Sequence, residues 1–381
     1  MAAPVIIVRC PDYEASRLAV ALAELLDPLG GMGAFVRPGM TVFLKPNLLT
    51  KAAPEKAVTT HPALVGAVTQ LVVAAGGRAV VGDSPGTALL HTVSALRRLY
   101  RACGIEEAVL AVGGELLSDV SHRIVPVPAG RGVKRMEIIT PALEADLVIN
   151  LPKLKTHGFT RMTGAVKNLF GLVPGVLKPA YHAKLEDVGR FGEMLVDIAD
   201  LIRPGLNIAD AVWAMEGAGP SAGDRCDLGL LAASVSADAL DAVLCRVMDI
   251  DPQTVPTVAA GLARGNLPEN LDEIPIRGLP LAEAARPGMR VPDTRPRAFP
   301  PFLTWTYPVA RRFFAPQVRI GSACVGCGRC AEVCPVGAIE VRRGKARVDS
   351  RKCIRCYCCH ETCSEVRAIR LVRPLLHRLF V

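Results

Sequence analysis

The amino-acid sequence predicts an α/β protein, a mainly parallel sheet domain covered by helices and followed by a small cysteine-rich α+β domain. Over residues 1–285 short apolar runs alternate with longer segments of helical period. Half of the 381 residues are hydrophobic and 21% are charged, enough for a sizeable core. Nine of the 13 cysteines crowd between Cys324 and Cys363.

Taken in order, the apolar runs are Val5–Val8, Thr41–Leu44, Ala79–Val81, Leu147–Ile149, Leu206–Ala209 and Leu230–Val235. Between them the helical period predicts Ala15–Leu26, Pro62–Ala75, Thr92–Ala102, Met194–Ile202 and Ala237–Met248. Strands that alternate with helices pair in parallel, with helices on both faces. The helix after Thr59-Thr60-His61-Pro62 starts with a capping residue and a proline in its first turn. Aromatics are only 4% of the chain, so the core is built from Ala, Val, Leu and Ile. The expected organisation is an α/β domain over 1–285, a connecting segment over 286–317, the cysteine-rich domain over 318–370 and a basic tail over 371–381. The connecting segment carries seven prolines, from Pro287 to Pro316. It also carries Phe299, Phe302, Trp305, Tyr307, Phe313 and Phe314, which suit a strap pinned on a surface better than a free linker.

The net charge of +9 conceals a split. From Arg286 to Val381 there are 19 Lys and Arg against six Asp and Glu, whereas residues 1–285 hold 26 against 30. Met1–Arg9 lacks the basic and apolar regions of a secretory signal, and no apolar stretch approaches the ~18–20 residues of a membrane span. The expectation is a cytoplasmic protein with reduced thiols, its clustered cysteines binding metal. Cys10, Cys103, Cys226 and Cys245 stand alone and read as packing thiols.

Two runs, Cys324-x2-Cys327-x2-Cys330-x3-Cys334-Pro335 and Cys353-x2-Cys356-x2-Cys359-x3-Cys363-Ser364, share one spacing. Zinc sites use two C-x2-C pairs separated by a longer loop, not four cysteines in one tight run. The pattern resembles bacterial two-cluster ferredoxins, and so implies a small ferredoxin-like iron–sulfur domain carrying two [4Fe–4S] clusters. In that family the fourth cysteine of each run serves the other cluster. The resemblance thus implies Cys324, Cys327, Cys330 and Cys363 for cluster 1, and Cys334, Cys353, Cys356 and Cys359 for cluster 2. Ser364 replaces the usual proline, and Cys358 is an extra thiol beside a ligand, either packing or an alternative ligand. The segments Ala338–Val341 and Ala346–Asp349 around Gly344 read as a hairpin between the runs. Two oxidised cubanes with their thiolates carry roughly −2 each, which explains part of the basic excess around Arg329, Arg351, Lys352 and Arg355.

Ligands in open parallel sheets bind beyond the carboxyl ends of the strands. Here those ends deliver Lys45 and Asn47, then Asp83 and Ser84, then Asn150, Lys153, Lys155 and His157, then Asp210 and Glu216. One shared polar site is expected. Lysine is scarce beside arginine in this chain, yet Lys153, Lys155, Lys167, Lys178 and Lys184 crowd into one stretch with His157 and His182. A compact ammonium suits acid–base work or anion binding; a solvated basic loop is the alternative.

Phe43-Leu-Lys45-Pro-Asn47, Gly82-Asp83-Ser84-Pro85-Gly86, Asn150-Leu-Pro-Lys153-Leu-Lys155-Thr-His157 and Thr163-Gly-Ala-Val-Lys167-Asn168-Leu-Phe-Gly171 together resemble the DUF362 family, whose members often end in a ferredoxin module. Thr163–Lys167 with Pro174-Gly175 is also similar to nickel-pincer lactate racemases, in which His bases and a cofactor-binding Lys work together. No P-loop or dinucleotide-binding glycine motif is present. The glycine-rich strand ends leave room for a flavin or a substrate phosphate. In the α/β region basic and aromatic residues are not interleaved on a strand as for nucleic acid.

The expected function is an iron–sulfur oxidoreductase whose clusters serve an anionic small molecule. Lys155, His157 and Lys167 are the expected catalytic residues. Lys45, Asn47, Asp83, Ser84, Asn150, Lys153, Asn168, Asp210 and Glu216 are the expected substrate-binding residues. A redox partner protein and a peripheral membrane contact by the basic tail accompany this reading. The alternatives are a non-catalytic electron carrier or assembly protein, and a nickel-pincer-type isomerase with structural clusters.

Overall fold

A computed structural model describes residues 2–85, 92–292, 316–363 and 366–372. Gly86, Ser364, most of the 286–317 segment with its six aromatics, and the tail beyond Val372 lie outside the described residues.

The strands are β1 (Val5–Arg9), β2 (Thr41–Pro46), β3 (Arg78–Val81), β4 (Glu115–Leu116), β5 (His122–Pro126), β6 (Arg135–Ile139), β7 (Leu147–Leu151), β8 (Lys153–His157), β9 (Arg161–Thr163), β10 (Leu206–Glu216), β11 (Asp224–Ser234) and β12 (Ile276–Gly278). Ten of them form one sheet in the order β12-β1-β11-β10-β7-β2-β3-β4, with β8 and β9 branching from β10. From β10 through β7, β2 and β3 to β4 all pairs are parallel, as the alternating pattern predicts. The β10–β11 and β1–β11 pairs are antiparallel, and the small β5–β6 hairpin stands apart.

The helices are α1 (Ala15–Leu26), α2 (Pro62–Ala74), α3 (Val93–Ala102), α4 (Ile105–Leu110), α5 (Thr140–Glu144), α6 (Ala165–Asn168), α7 (Lys178–Lys184), α8 (Val188–Ile202), α9 (Ala237–Val247), α10 (Pro256–Arg264) and α11 (Leu281–Ala284). His61 caps α2 through its ring, which accepts from Ala63 N. The segment expected to be helical from Met194 begins nearly two turns earlier, at Val188. There the Asp187 side chain accepts from Arg190 N at 2.9 Å and satisfies an otherwise orphaned first-turn donor.

Two expectations about strand ends change. Leu206–Ala209 does not end at Asp210; β10 runs on to Glu216, so Asp210 lies inside the sheet. Lys153, Lys155 and His157 are not loop residues beyond β7. Pro152 has no N–H and ends β7, its carbonyl accepts from Asp210 N at 2.8 Å, and the chain continues as β8 along the same neighbour. Because β8 stays with β10 while β2 stops at Pro46, the sheet forks, and a polar cavity opens beyond the ends of β2 and β3.

The C-terminal module pairs its first strand, β13 (Gln317–Ile320), with its last, β16 (Ile369–Val372), in antiparallel register. β14 (Ile339–Arg342) and β15 (Lys345–Val348) form the expected hairpin. Its turn residues Arg343 and Gly344 both have positive φ, the geometry that matches strand twist. Two short helices, α12 (Arg329–Glu332) and α13 (Cys358–Thr362), follow the cysteine loops. The module docks on the β10–β11 turn: Ser221 Oγ donates to Glu361 O at 2.6 Å, and Arg367 donates to Gly223 O at 3.0 Å.

Candidate functional site

The cavity is lined by Asn47, Asp83 and Ser84 from the ends of β2 and β3, and by Lys155 and His157 of β8. Lys167, Asn168, Phe170, Lys178 and His182 come from α6, the turn after it, and α7. Arg329, Cys358, Glu361 and Thr362 of the C-terminal module close it. It encloses about 80 Å³, several times the ~10–15 Å³ that one water needs, so it admits a small molecule.

A chain of amides builds the floor. Lys155 Nζ donates to Asn47 Oδ1 at 2.7 Å and to Val58 O at 2.6 Å. Asn47 donates to Asn168 at 3.0 Å, Asn168 to Asn150 at 2.8 Å, and Asn150 to Asn207 at 2.9 Å. Fully satisfied buried networks of this kind fix geometry. Beside it Lys45 Nζ lies 3.1 Å from Asp83 Oδ2, which also accepts from Leu48 N at 2.8 Å. Gly171 is needed here, because a Cβ would stand 2.2 Å from Asp83 Oδ1 and 2.3 Å from Lys45 Nζ. Lys178 Nζ donates to Ser84 O at 2.6 Å.

Burial dominates the electrostatics. It lowers Lys155 well below the ordinary lysine value, with Lys167 adding to the effect, and it brings Lys178 to about 8. Burial also lowers Lys167, against the opposing pull of Glu361 and Cys358. His157 falls to about 4 and His182 to about 3, again chiefly through burial. Both rings are therefore neutral near pH 7. His157 Nδ1 accepts from Phe159 N at 3.0 Å and Thr160 N at 3.3 Å, which places the proton on Nε2, 3.1 Å from Glu361 Oε1. Burial alone would raise the Glu361 carboxyl, but His157, Lys167 and His182 outweigh it and hold the group well below its usual range.

Helix α6, which carries Lys167 and Asn168, is anchored by Asp241, whose carboxylate accepts from Ala165 N at 2.5 Å and Val166 N at 3.1 Å. Burial, only partly offset by these two donors, raises Asp241 to about 7. Its folded value exceeds the ordinary one, so its stabilising contribution is complete below about pH 4 and is lost as pH rises through about 7. Buried neutral His157 and His182, whose folded values are lowered, contribute with the opposite sign, so the Asp241 contribution is read as a difference. The urea midpoint of the wild-type holoprotein, taken relative to that of Asp241→Asn, should fall between pH 5 and 8, by on the order of 4 kcal/mol over the full range.

The sequence-predicted residues thus separate. Lys155, His157, Lys167, Asn47, Asp83, Ser84 and Asn168 line the cavity. Lys45 and Asn150 sit behind it, bonded to lining residues. Lys153 and Asp210 form a buried pair elsewhere, 2.9 Å apart. Glu216 is taken by Arg290 at 2.8 Å on the surface, so the shared site does not reach it. Lys178 and His182 belong to the basic cluster of the sequence and have lining positions. Glu361 is absent from the expected set, since a glutamate between two cysteines carries no signal in the sequence. Cys10, Cys103, Cys226 and Cys245 are all buried, as packing thiols are.

In the module, the two cysteine loops share one backbone. Gly326 and Arg355, two positions after the first cysteine of each run, have φ of 67° and 58°; Gly328 and Tyr357 have 81° and 62°. Left-handed conformations at Arg355 and Tyr357 cost energy and persist where function requires them. Burial, then the thiols of Cys324, Cys327 and Cys363, raise the Cys330 thiol. Burial, then Cys356 and Cys334, raise Cys353, against an opposing backbone donor. Each of these two thiols thus feels cysteines of both runs. Cys334 Sγ accepts from Ala338 N at 3.1 Å, and Cys324 Sγ from Gly326 N and Ala346 N at 3.4 Å, donors suited to thiolate charge.

A sheet that forks over a lysine- and histidine-lined cavity, with a cysteine-rich module as its lid, defines an iron–sulfur protein of two fused parts. Residues 42–246 match the family described as "Domain of unknown function (DUF362)", and residues 317–364 match a 4Fe-4S dicluster domain. The chain belongs to the DUF362 family. It is 44% identical over 269 residues to "Thylakoid-associated protein sll1697" of Synechocystis sp. strain PCC 6803, covering 68% of this chain and 79% of that one. Two solved structures are similar in part. A lactate racemase apoprotein from Thermoanaerobacterium thermosaccharolyticum has a TM-score of 0.38 at 14% identity, covering 61% of this chain and 54% of that one. A Thermotoga maritima protein has a TM-score of 0.35 at 11% identity, covering 60% and 57%. The chain therefore spans little more than half the length of either structure.

Proposed function

We propose that the protein is an oxidoreductase in which an anionic small molecule, held between sheet and module, exchanges electrons with two [4Fe–4S] clusters. Cys324, Cys327, Cys330 and Cys363 hold one cluster, and Cys334, Cys353, Cys356 and Cys359 the other; the clusters supply one-electron transfer. The observation that carries the reading is the shared wall of the cavity. Cys358 and Glu361 face Lys155, His157 and Lys167 from the helix that holds Cys359 and precedes Cys363.

Lys167 is the anion clamp: its ammonium makes no hydrogen bond or ion pair among the described residues and lies 5.9 Å from the Phe170 ring centroid. Lys155, lowered by burial, moves a proton at Nζ, and neutral His157 donates from Nε2. We place the α/β part at 1–285 and the module at 318–370, and the protein in the cytoplasm with a protein redox partner. A peripheral membrane contact accords with the name of the Synechocystis relative. Among the described residues no helix is long and apolar enough to cross a membrane.

The test uses anaerobically purified protein, bleached with dithionite and challenged with a panel of reducible small acids and phosphate esters, each able to take up two electrons, one from each cluster. One class should restore the cluster absorbance catalytically. Replacing Lys155, His157 and Lys167 together by Met, Gln and Met should slow that step at least 100-fold at unchanged iron content. Unchanged turnover in the triple variant would falsify the site.

A further inference from the structure

The two carboxylates of the cavity are held very differently. Asp83 is fixed by Lys45 at 3.1 Å and by Leu48 N at 2.8 Å. Glu361 enters from the opposite wall, and its only close polar approach among the described residues is the His157 ring, 3.1 Å from Oε1. No described lysine of the cavity forms an ion pair with it, although its charge acts on Lys155, Lys167 and Lys178 as well as on both histidines. The His157 approach is not a hydrogen bond, and around Glu361 stand further polar atoms that no described residue satisfies: His182 Nδ1, Thr163 Oγ1 and Asp83 Oδ1, all on side chains more than nine-tenths buried. Buried polar groups ordinarily find partners, and a set left open around one cavity marks a place for a ligand.

We infer that Glu361 is an internal occupant of the ligand's anion position: its carboxylate fills the place that a carboxylate or phosphate of the substrate takes, and binding requires that it swing aside. This deepens the proposed function and rests on the same cavity. The helix itself stays in place, since Ser221 holds the Glu361 carbonyl at 2.6 Å, so only the side chain has to move. Between turnovers Glu361 balances the lysine charge. When a ligand arrives, two anions compete for one set of cations, and like charges so close in a buried site repel strongly. Ligands with a free acidic group gain from that exchange; neutral analogues leave Glu361 where it is.

The test is calorimetric titration of the iron-loaded protein with oxalate, acetate and inorganic phosphate, comparing wild type with Glu361→Gln and Glu361→Ala. Both variants should bind at least one of these anions tenfold or more tightly than wild type, and adding Lys167→Met should abolish the gain. Equal affinity in wild type and variants overturns the inference but leaves the anion site standing. Binding of no anion by any form overturns both the inference and the cavity as an anion site. A gain that survives Lys167→Met places the anion elsewhere and overturns the inference. Loss of iron in both variants overturns it too, because a mere occupant is not needed for cluster assembly.

Discussion

Replacing Cys334 with Ala should halve the iron of the protein, from about eight atoms per chain to about four, and the lost cluster should be the one on the second cysteine run. This outcome follows from the proposed crossing of the fourth cysteines. Cys334 closes the first run in sequence, yet its thiol acts on Cys353 and Cys359 of the second, as Cys330 also acts on Cys359, and Cys363 of the second acts on Cys330 of the first. Double variants separate the arrangements without assigning any spectrum. Cys334→Ala combined with Cys353→Ala removes two ligands of one cluster if the runs cross, and about four irons remain. If each run wraps its own cluster, the same pair cripples both and iron approaches zero. Cys334→Ala with Cys327→Ala should give the reverse. Iron and acid-labile sulfide assays on anaerobic protein read the result directly.

How legible this molecule is in its sequence depends on the range of the interactions. Cysteine spacing is local, and both runs stand as four-thiol loops on matching backbones. Helices α1, α2, α3 and α9 begin and end within a residue or so of their expected limits, because period and capping are also local. The crowding of Lys and His between Lys153 and Lys184 is informative for the same reason, since β8, α6 and α7 wrap a single cavity. Strand ends mislead where a charge interrupts an apolar run. Asp210 looks like the end of a strand, but a buried lysine from β8 compensates it and the strand continues to Glu216. The antiparallel β10–β11 pair is invisible for that reason, and so is the platform its turn offers to the module. Glu361 meets His157 from the far end of the chain, a contact that only the assembled fold specifies. Cys358 stands out in the sequence as one thiol too many; its burial in the cavity wall gives it a place distinct from Cys359.

The largest loss of stability is expected from Lys153→Met, which leaves Asp210 charged and buried. Both side chains are wholly inaccessible, and Lys153 Nζ lies 2.9 Å from Asp210 Oδ2 and 3.0 Å from the Tyr13 hydroxyl. Tyr13 donates to Asp210 Oδ1 at 2.5 Å, and His61 N donates to Oδ2 at 2.8 Å. Tyr13 in turn stacks on the His61 ring at 3.5 Å, and Trp213 packs edge-on against both. Met matches the length of the lysine stem, so the main change is the missing cation. Removing one partner of a buried pair costs about 3–5 kcal/mol, whereas removing both charges costs far less. Lys153→Met should therefore lower the urea midpoint of the holoprotein sharply. Adding Asp210→Asn should restore a good part of it, because the amide oxygen can still accept from Tyr13 or His61 without carrying a charge. Trp213 fluorescence follows the transition at the network itself. If the double variant is no more stable than Lys153→Met alone, the pair is not what holds β8 against β10, and the stability of the fork must come from the packing around Tyr13 and Trp213.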